Sequence, residues 1–277
     1  MENDKLVRLA QMDLLLELKR ICHKCNINYF LAGGTLLGAI RHQGFIPWDD
    51  DIDVGMLRKD YDKFIKACYG ELDSDYGLYD WNIDKNSPAP FLKMKIKGTH
   101  YVEHLSKDSS MNDEIYIDIF PFDNAPDSIY KQKIQAIKVY LLKKILLLRC
   151  GFSIDENKKK YKSILYKILL ALSKIHSVAA WKKRFINVTT KYNSKDSLYV
   201  VNMCGAYSYK RSMREKSILQ HFIEKPFEGH NFPVPENYHR YLSEVYGDYM
   251  KLPPEAQRVS RHGILNIDLN TYKIRSI

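Results

Sequence analysis

Residues Gly33–Gly55 read GGTLLGAIRHQGFIPWDDDIDVG, with four aspartates at positions 49, 50, 51 and 53 in a chain whose formal net charge is +10. The segment from Asp51 to Gly55 alternates polar and apolar, as a half-buried strand does, and in a strand residues two apart share a face. Asp51 and Asp53 are therefore predicted to project together while Ile52 and Val54 enter the core. Asp50, out of phase, is expected to face away, and Asp49 to orient the loop. Two carboxylates on one face repel each other unless a cation lies between them. An all-oxygen set suits Mg²⁺ or Mn²⁺, and Mg²⁺ commonly takes one or two carboxylates together with substrate phosphates. Taken alone, an acidic cluster is usually a solvated turn. Here the flanking Trp48, Ile52 and Val54, and the Gly-Gly-Thr that opens the segment, argue against one.

Outward from this segment the pattern is mixed. Leucines recur at helical spacing over residues 4–25, Tyr29–Ala32 reads as a short strand, and Gly33-Gly34 as a tight turn. Thr35 is expected to cap a short helix running through Arg41. Another helix is predicted from Lys59 to about Ala67, and strands over 77–83, 91–96 and 114–120. In the last of these, Ile115, Ile117 and Ile119 share one face and Tyr116, Asp118 and Phe120 the other. A third acid on a neighbouring strand, for which Asp118 is the candidate, would complete the site or accept a proton. Gly33, Gly34 and Thr35 at a helix N-terminus offer backbone N–H groups to a phosphate. These parts suit phosphoryl or nucleotidyl transfer, in which positioning and charge neutralisation do most of the catalysis.

The block GGTLLGAIRHQGFIPWDDDIDVGMLRKDYDKF closely resembles the signature of the LicD family, which includes bacterial phosphocholine transferases and, more remotely, fukutin-related proteins. The later pieces YIDIFPFD and YGDYMKLPP are similar to that family's downstream blocks, so the resemblance spans roughly residues 4–125 and 220–262. It implies an α+β fold with the mixed sheet of a DNA polymerase β-like nucleotidyltransferase. It also implies the metal pair on Asp51 and Asp53, the third acid on Asp118 as ligand or base, and a CDP-choline donor that releases CMP. On that reading Gly33, Gly34 and Thr35 touch phosphate, and Arg41, His42 and Lys93 offset its charge. Trp48 is the first candidate for an aromatic face against the choline ammonium, ahead of Trp81, Tyr116, Tyr246 and Tyr249. Arg258, Arg261 and His262 are candidates to face the site. Each of these has a plainer reading, as a solvated helix end, a surface cation or a packing aromatic.

The charge is unevenly spread. From Tyr130 to Lys195 there are 17 Lys and Arg against Asp155 and Glu156, a net of +15, which leaves −5 for the remainder of the +10 chain. Lysines there interleave with Leu, Ile and Tyr in helices expected over 128–149, 159–175 and 178–192. Such a face can lie on an anionic membrane, which fits a lipid-linked glycopolymer acceptor of the teichoic-acid or capsule type at the inner leaflet. Ordinary solvated lysines are the alternative, and nucleic acid is disfavoured because no recognition motif is present. The expected organisation is a catalytic core over 1–127, a basic helical insert over 128–195, and a C-terminal part over 196–277 completing the active-site region. Five scattered cysteines, no secretory leader and no spanning run point to a reducing, cytoplasmic setting with association at the membrane face. Cys22-His-Lys-Cys25 has no second pair to make a zinc site. The rival readings are another CDP-alcohol donor (ribitol, glycerol or ethanolamine), true nucleotidyl transfer, and a non-catalytic scaffold that has kept the fold.

Overall fold

Helix α1 (Glu2–Lys24) begins the chain in the computed structural model, which describes residues 2–81, 87, 89–103, 114–150, 160–259 and 264–276. Its leucine spacing produces one apolar stripe, and Leu14, Leu15, Leu18 and Ile21 are fully buried. Two residues beyond the helix, Asn26 takes a left-handed φ of 50°. There follow β1 (Phe30–Leu31), α2 (Gly33–His42), β2 (Asp53–Leu57) and α3 (Arg58–Glu71). Then come β3 (Tyr76–Asp80), β4 (Leu92–Ile96), β5 (His100–Glu103) and β6 (Tyr116–Ala125).

The strands make a mixed sheet in the order β1-β2-β6-β4-β3, and the architecture is α+β. β2 runs antiparallel to β1 and parallel to β6, and β4 runs antiparallel to β6. The alternation read from the sequence divides the two faces. Ile52, Val54, Met56, Leu92, Met94, Ile117 and Ile119 are fully buried, on the side where α1 meets β4 and α3 meets β2. Burial of each such side chain stabilises by about 1.5–3 kcal/mol, so a one-residue slip of β2 in either direction would bring Asp51 or Asp53 into the buried place of Ile52. The opposite face carries Asp53, Asp118 and Lys93.

The chain divides into two compact units, one over residues 1–79, 91–122 and 214–277 and the other over 80–90 and 123–213. The second contains α4 (Ile129–Arg149), α5 (Lys160–Ser173), α6 (Val178–Thr189), β7 (Tyr199–Val201) and α7 (Tyr209–Ser212). β7 lies antiparallel to the end of β6, with Asp123 opposite Val201. Ser177 caps α6 by accepting from the Ala180 N–H at 3.2 Å, and Phe185 meets Trp81 edge-on at 5.5 Å. After β8 (Met213–Glu215), the first unit resumes with the hairpin of β9 (Phe222–Phe227) and β10 (His230–Pro235), then α8 (Tyr238–Tyr246) and β11 (Ile264–Asp268). The hairpin borders β1 and α2, and its Phe222 stacks on Phe30 at 5.7 Å. β11 pairs with β5.

Candidate active site

Three adjacent strands set the site. Asp53, the first residue of β2, is register-paired with Asp118 of β6, and Asp118 is register-paired with Lys93 of β4. An acid, an acid and a lysine thus form one row across the sheet, on the face that the apolar residues leave. Lys93 Nζ lies 2.9 Å from Asp118 Oδ1 and 3.2 Å from the centre of the Tyr116 ring. The ammonium therefore sits between a carboxylate and an aromatic face, both from β6. Phe91, beside Lys93, leans on Phe120 at 4.4 Å. Asp51 and Asp53 are both half-buried while Ile52 between them is fully buried, the alternation expected of residues that share a face. Regular strand begins at Asp53, later than the expected Asp51, although Ile52 O already accepts from the Asp118 N–H at 2.9 Å.

Helix α2 abuts this row. Gly33 has a φ of +52°, and a Cβ there would collide with Asp53 Oδ2; at Gly34 it would collide with Asp49 Oδ2. The glycine pair is therefore what lets the two carboxylates come against the helix N-terminus, the end whose backbone dipole favours negative charge. Thr35 does not cap α2 as the sequence reading had it. The capping position is Ala32, without a side-chain bond, and Thr35, 3% exposed, accepts from the Asp53 N–H at 2.8 Å. The helix starts three residues earlier than expected because Leu36 N already bonds to Ala32 O, and that leaves the threonine hydroxyl to hold β2.

The acidic loop is secured by two residues that the sequence reading passed over. Arg8 Nη2 donates to the carbonyls of Ile46, Pro47 and Asp49 at 3.3, 2.8 and 2.9 Å. Gln11 Nε2 donates to the carbonyls of Asp50 and Tyr116 at 3.0 and 3.3 Å, tying the loop to the first residue of β6. Gln11 is 1% exposed; a polar residue between Val7 and Leu15 on a leucine-rich helix face was the available signal. Asp50 is itself buried. At the other end of α2, Arg41 Nη1 donates to the Tyr249 carbonyl at 2.8 Å and Arg41 Nε to His42 Nδ1 at 3.4 Å. Burial lowers the Arg41 pKa, and burial followed by the Arg41 charge lowers that of His42, which favours the neutral ring.

Half-buried Trp48 meets His42 edge-on at 6.3 Å, and the Arg258 guanidinium lies 5.7 Å from its ring centre. Arg258 thus joins the Trp48–His42 group. Arg261 and His262 lie outside the described residues. Among the aromatic candidates, Trp81 belongs to the other unit and packs on Phe185. Tyr249 is 5% exposed, with its hydroxyl on His239 Nδ1.

A domain described as LicD/FKTN/FKRP, nucleotidyltransferase domain, matches residues 26–141. The match takes in Gly33 through β6, and so every acid of the row. Over 258 residues the chain is 30% identical to the lipopolysaccharide cholinephosphotransferase LicD of Haemophilus influenzae, covering 92% of this chain and 94% of that one. The chain belongs to the LicD family. The ribitol 5-phosphate transferase FKRP of Mus musculus is 26% identical over 102 residues, 37% of this chain and 18% of that protein. An uncharacterised Rickettsia prowazekii protein is 46% identical over 52 residues, 19% of this chain and 20% of that one. Both named relatives of this LicD-family chain are transferases.

The donor groups that Asp51, Asp53 and Asp118 offer this LicD-type site are carboxylate oxygens, which fits a hard divalent cation. Among the described residues no three His, Cys, Asp or Glu side chains converge on one point, and Asp118 is in contact with Lys93. The set therefore suits an ion that takes one or two carboxylates and completes its shell from phosphate and water.

Proposed function

We propose that the chain transfers phosphocholine from CDP-choline to a sugar hydroxyl of a cell-surface glycopolymer precursor, of the teichoic-acid or capsule type, on the cytoplasmic side of the membrane, with release of CMP. The observation that carries this reading is the Asp53–Asp118–Lys93 row beside the α2 N-terminus, in a chain similar along nearly its whole length to a cholinephosphotransferase. Asp51 and Asp53 would hold Mg²⁺ or Mn²⁺, which when bound neutralises the diphosphate and withdraws charge from the phosphorus under attack. The acceptor oxygen forms a bond to the phosphocholine phosphorus, the bond from that phosphorus to the bridging oxygen breaks, and CMP leaves with the electron pair. The hydroxyl proton passes to the Asp118 carboxylate. Lys93 holds that carboxylate in the row, and Arg41 supplies the fixed cation at the end of α2. Trp48 offers a ring face to the choline ammonium.

The FKRP similarity supports a second reading in which the same site takes CDP-ribitol. Titration of the protein with CDP-choline, CDP-ribitol, CDP-glycerol and CTP, with and without Mg²⁺, separates the two. Metal-dependent binding of CDP-choline in preference to the others is expected, followed by CMP release on addition of acceptor. Preference for CDP-ribitol selects the second reading. Binding of CTP alone, with pyrophosphate as product, overturns both in favour of nucleotidyl transfer.

A further inference from the structure

The second unit carries a surface that the proposed chemistry does not use. Helix α4 buries Gln135, Val139, Leu142 and Leu146 on one side, toward α5 and α6. On the opposite side Tyr130, Ile134 and Ile137 recur at steps of four and three residues, and Tyr130 and Ile137 are 73% and 59% exposed. At 100° per residue these three fall within one narrow stripe. Lys131 and Lys138 flank the stripe on one side and Lys133 and Lys144 on the other; the first three are exposed and Lys144 half-buried. The end of α5 and the turn after it repeat the pattern, with Ile168, Leu172 and Ile175 exposed beside exposed Lys167 and Lys174. Large apolar side chains in rows on an exposed helix face mark a contact surface. Lysines along both edges of such a row match the headgroups above an acyl layer, with the helix lying in the interface plane. No described helix is long and apolar enough to cross a membrane.

We propose that the α4 stripe docks the protein on an anionic bilayer. The occupant is chosen by charge complementarity: residues 130–195 carry a net of +15, whereas a second copy of this chain would oppose lysine to lysine. The inference does not rest on the transferase reading, because it is tested without substrate. The full chain is floated with vesicles of phosphatidylcholine alone and of equal parts phosphatidylcholine and phosphatidylglycerol. Binding is expected to the anionic vesicles only, and to weaken with salt. Each lysine removed should lower the partition coefficient roughly fivefold. The Lys133→Gln/Lys138→Gln variant should therefore lose about 25-fold, and Tyr130→Ser/Ile137→Ser at least about tenfold. All four positions are on the surface, and an unchanged far-ultraviolet spectrum separates lost docking from lost folding; a spectrum that changes moves the test to the single variants Lys133→Gln and Ile137→Ser. Equal binding to neutral and anionic vesicles, or wild-type binding by both double variants, would overturn the proposal. So would tight binding to duplex DNA without vesicle binding, or a dimer that the variants convert to monomer.

Discussion

Asp53 and Asp118 differ in what holds them. Asp53 has its N–H on Thr35 and its carboxylate against Gly33, while Asp118 has its carboxylate on Lys93. Replacing either with asparagine keeps the shape and removes the charge that a cation or a proton would meet. Asp53→Asn and Asp118→Asn should each lower turnover by on the order of 100-fold or more; near-normal turnover in either would refute the assignment. The melting temperature should be unchanged or raised in Asp53→Asn and lowered in Asp118→Asn, which takes the counter-charge from part-buried Lys93. His42 allows a separate check. Its depressed pKa means that the unfolded chain binds the proton first as pH falls. The stability it contributes is then full above the unfolded value and is lost as pH falls through the folded one. Its ring resonances should accordingly titrate below the ordinary imidazole value of 6.5, and Arg41→Gln should bring the midpoint back toward that value. The Asp-x-Asp alternation was legible because it repeats every second residue within one short segment. The Lys93–Asp118 pair was not, because it depends on the register of strands 25 positions apart in sequence.

At the level of the element, α1 does more than cover the sheet. Arg8 and Gln11 stand one turn apart on its buried side and between them bond the carbonyls of Ile46, Pro47, Asp49, Asp50 and Tyr116. The helix thereby fixes both ends of the path from the acidic loop to β6. A charge-assisted bond contributes about 1.5–3 kcal/mol and a neutral one about 1 kcal/mol. Arg8→Ala should therefore release the loop while leaving the carboxylates themselves present. Turnover is expected to fall by about 10- to 100-fold, as when other outer supports of a site are removed, with partial recovery in Arg8→Lys. Full activity in Arg8→Ala would show that the loop keeps its form without the helix. The long helices were legible because a 3.6-residue period persists over many turns: α1, α4 and α6 lie close to where their leucine, isoleucine and lysine spacing put them. The short strands β5 and β11 were not, since each is defined by a partner more than 160 residues away.

Across the whole molecule, charge and architecture separate. The acids of the row lie in the unit formed by residues 1–79, 91–122 and 214–277, and the net +15 of residues 130–195 lies in the other. The same division lets the ion be tested independently of turnover. A ligand that binds the folded chain and not the unfolded one stabilises it by RT ln(1 + [L]/Kd), about 2.7 kcal/mol at a hundredfold excess over Kd. For a domain of this size each kcal/mol moves the melting temperature by roughly 2–4 °C, so saturating Mg²⁺ or Mn²⁺ should raise it by roughly 5–10 °C, and EDTA should reverse the rise. Relief of repulsion between Asp51 and Asp53 would be the source of that gain, so Asp53→Asn should abolish most of it. Lys133→Gln/Lys138→Gln, in the other unit, should retain it in full. A melting temperature indifferent to Mg²⁺ and Mn²⁺ in the wild type would mean that the free protein does not hold the ion. The carboxylate row would then have to acquire it together with the nucleotide, and a shift would appear only when CDP-choline and Mg²⁺ are added together.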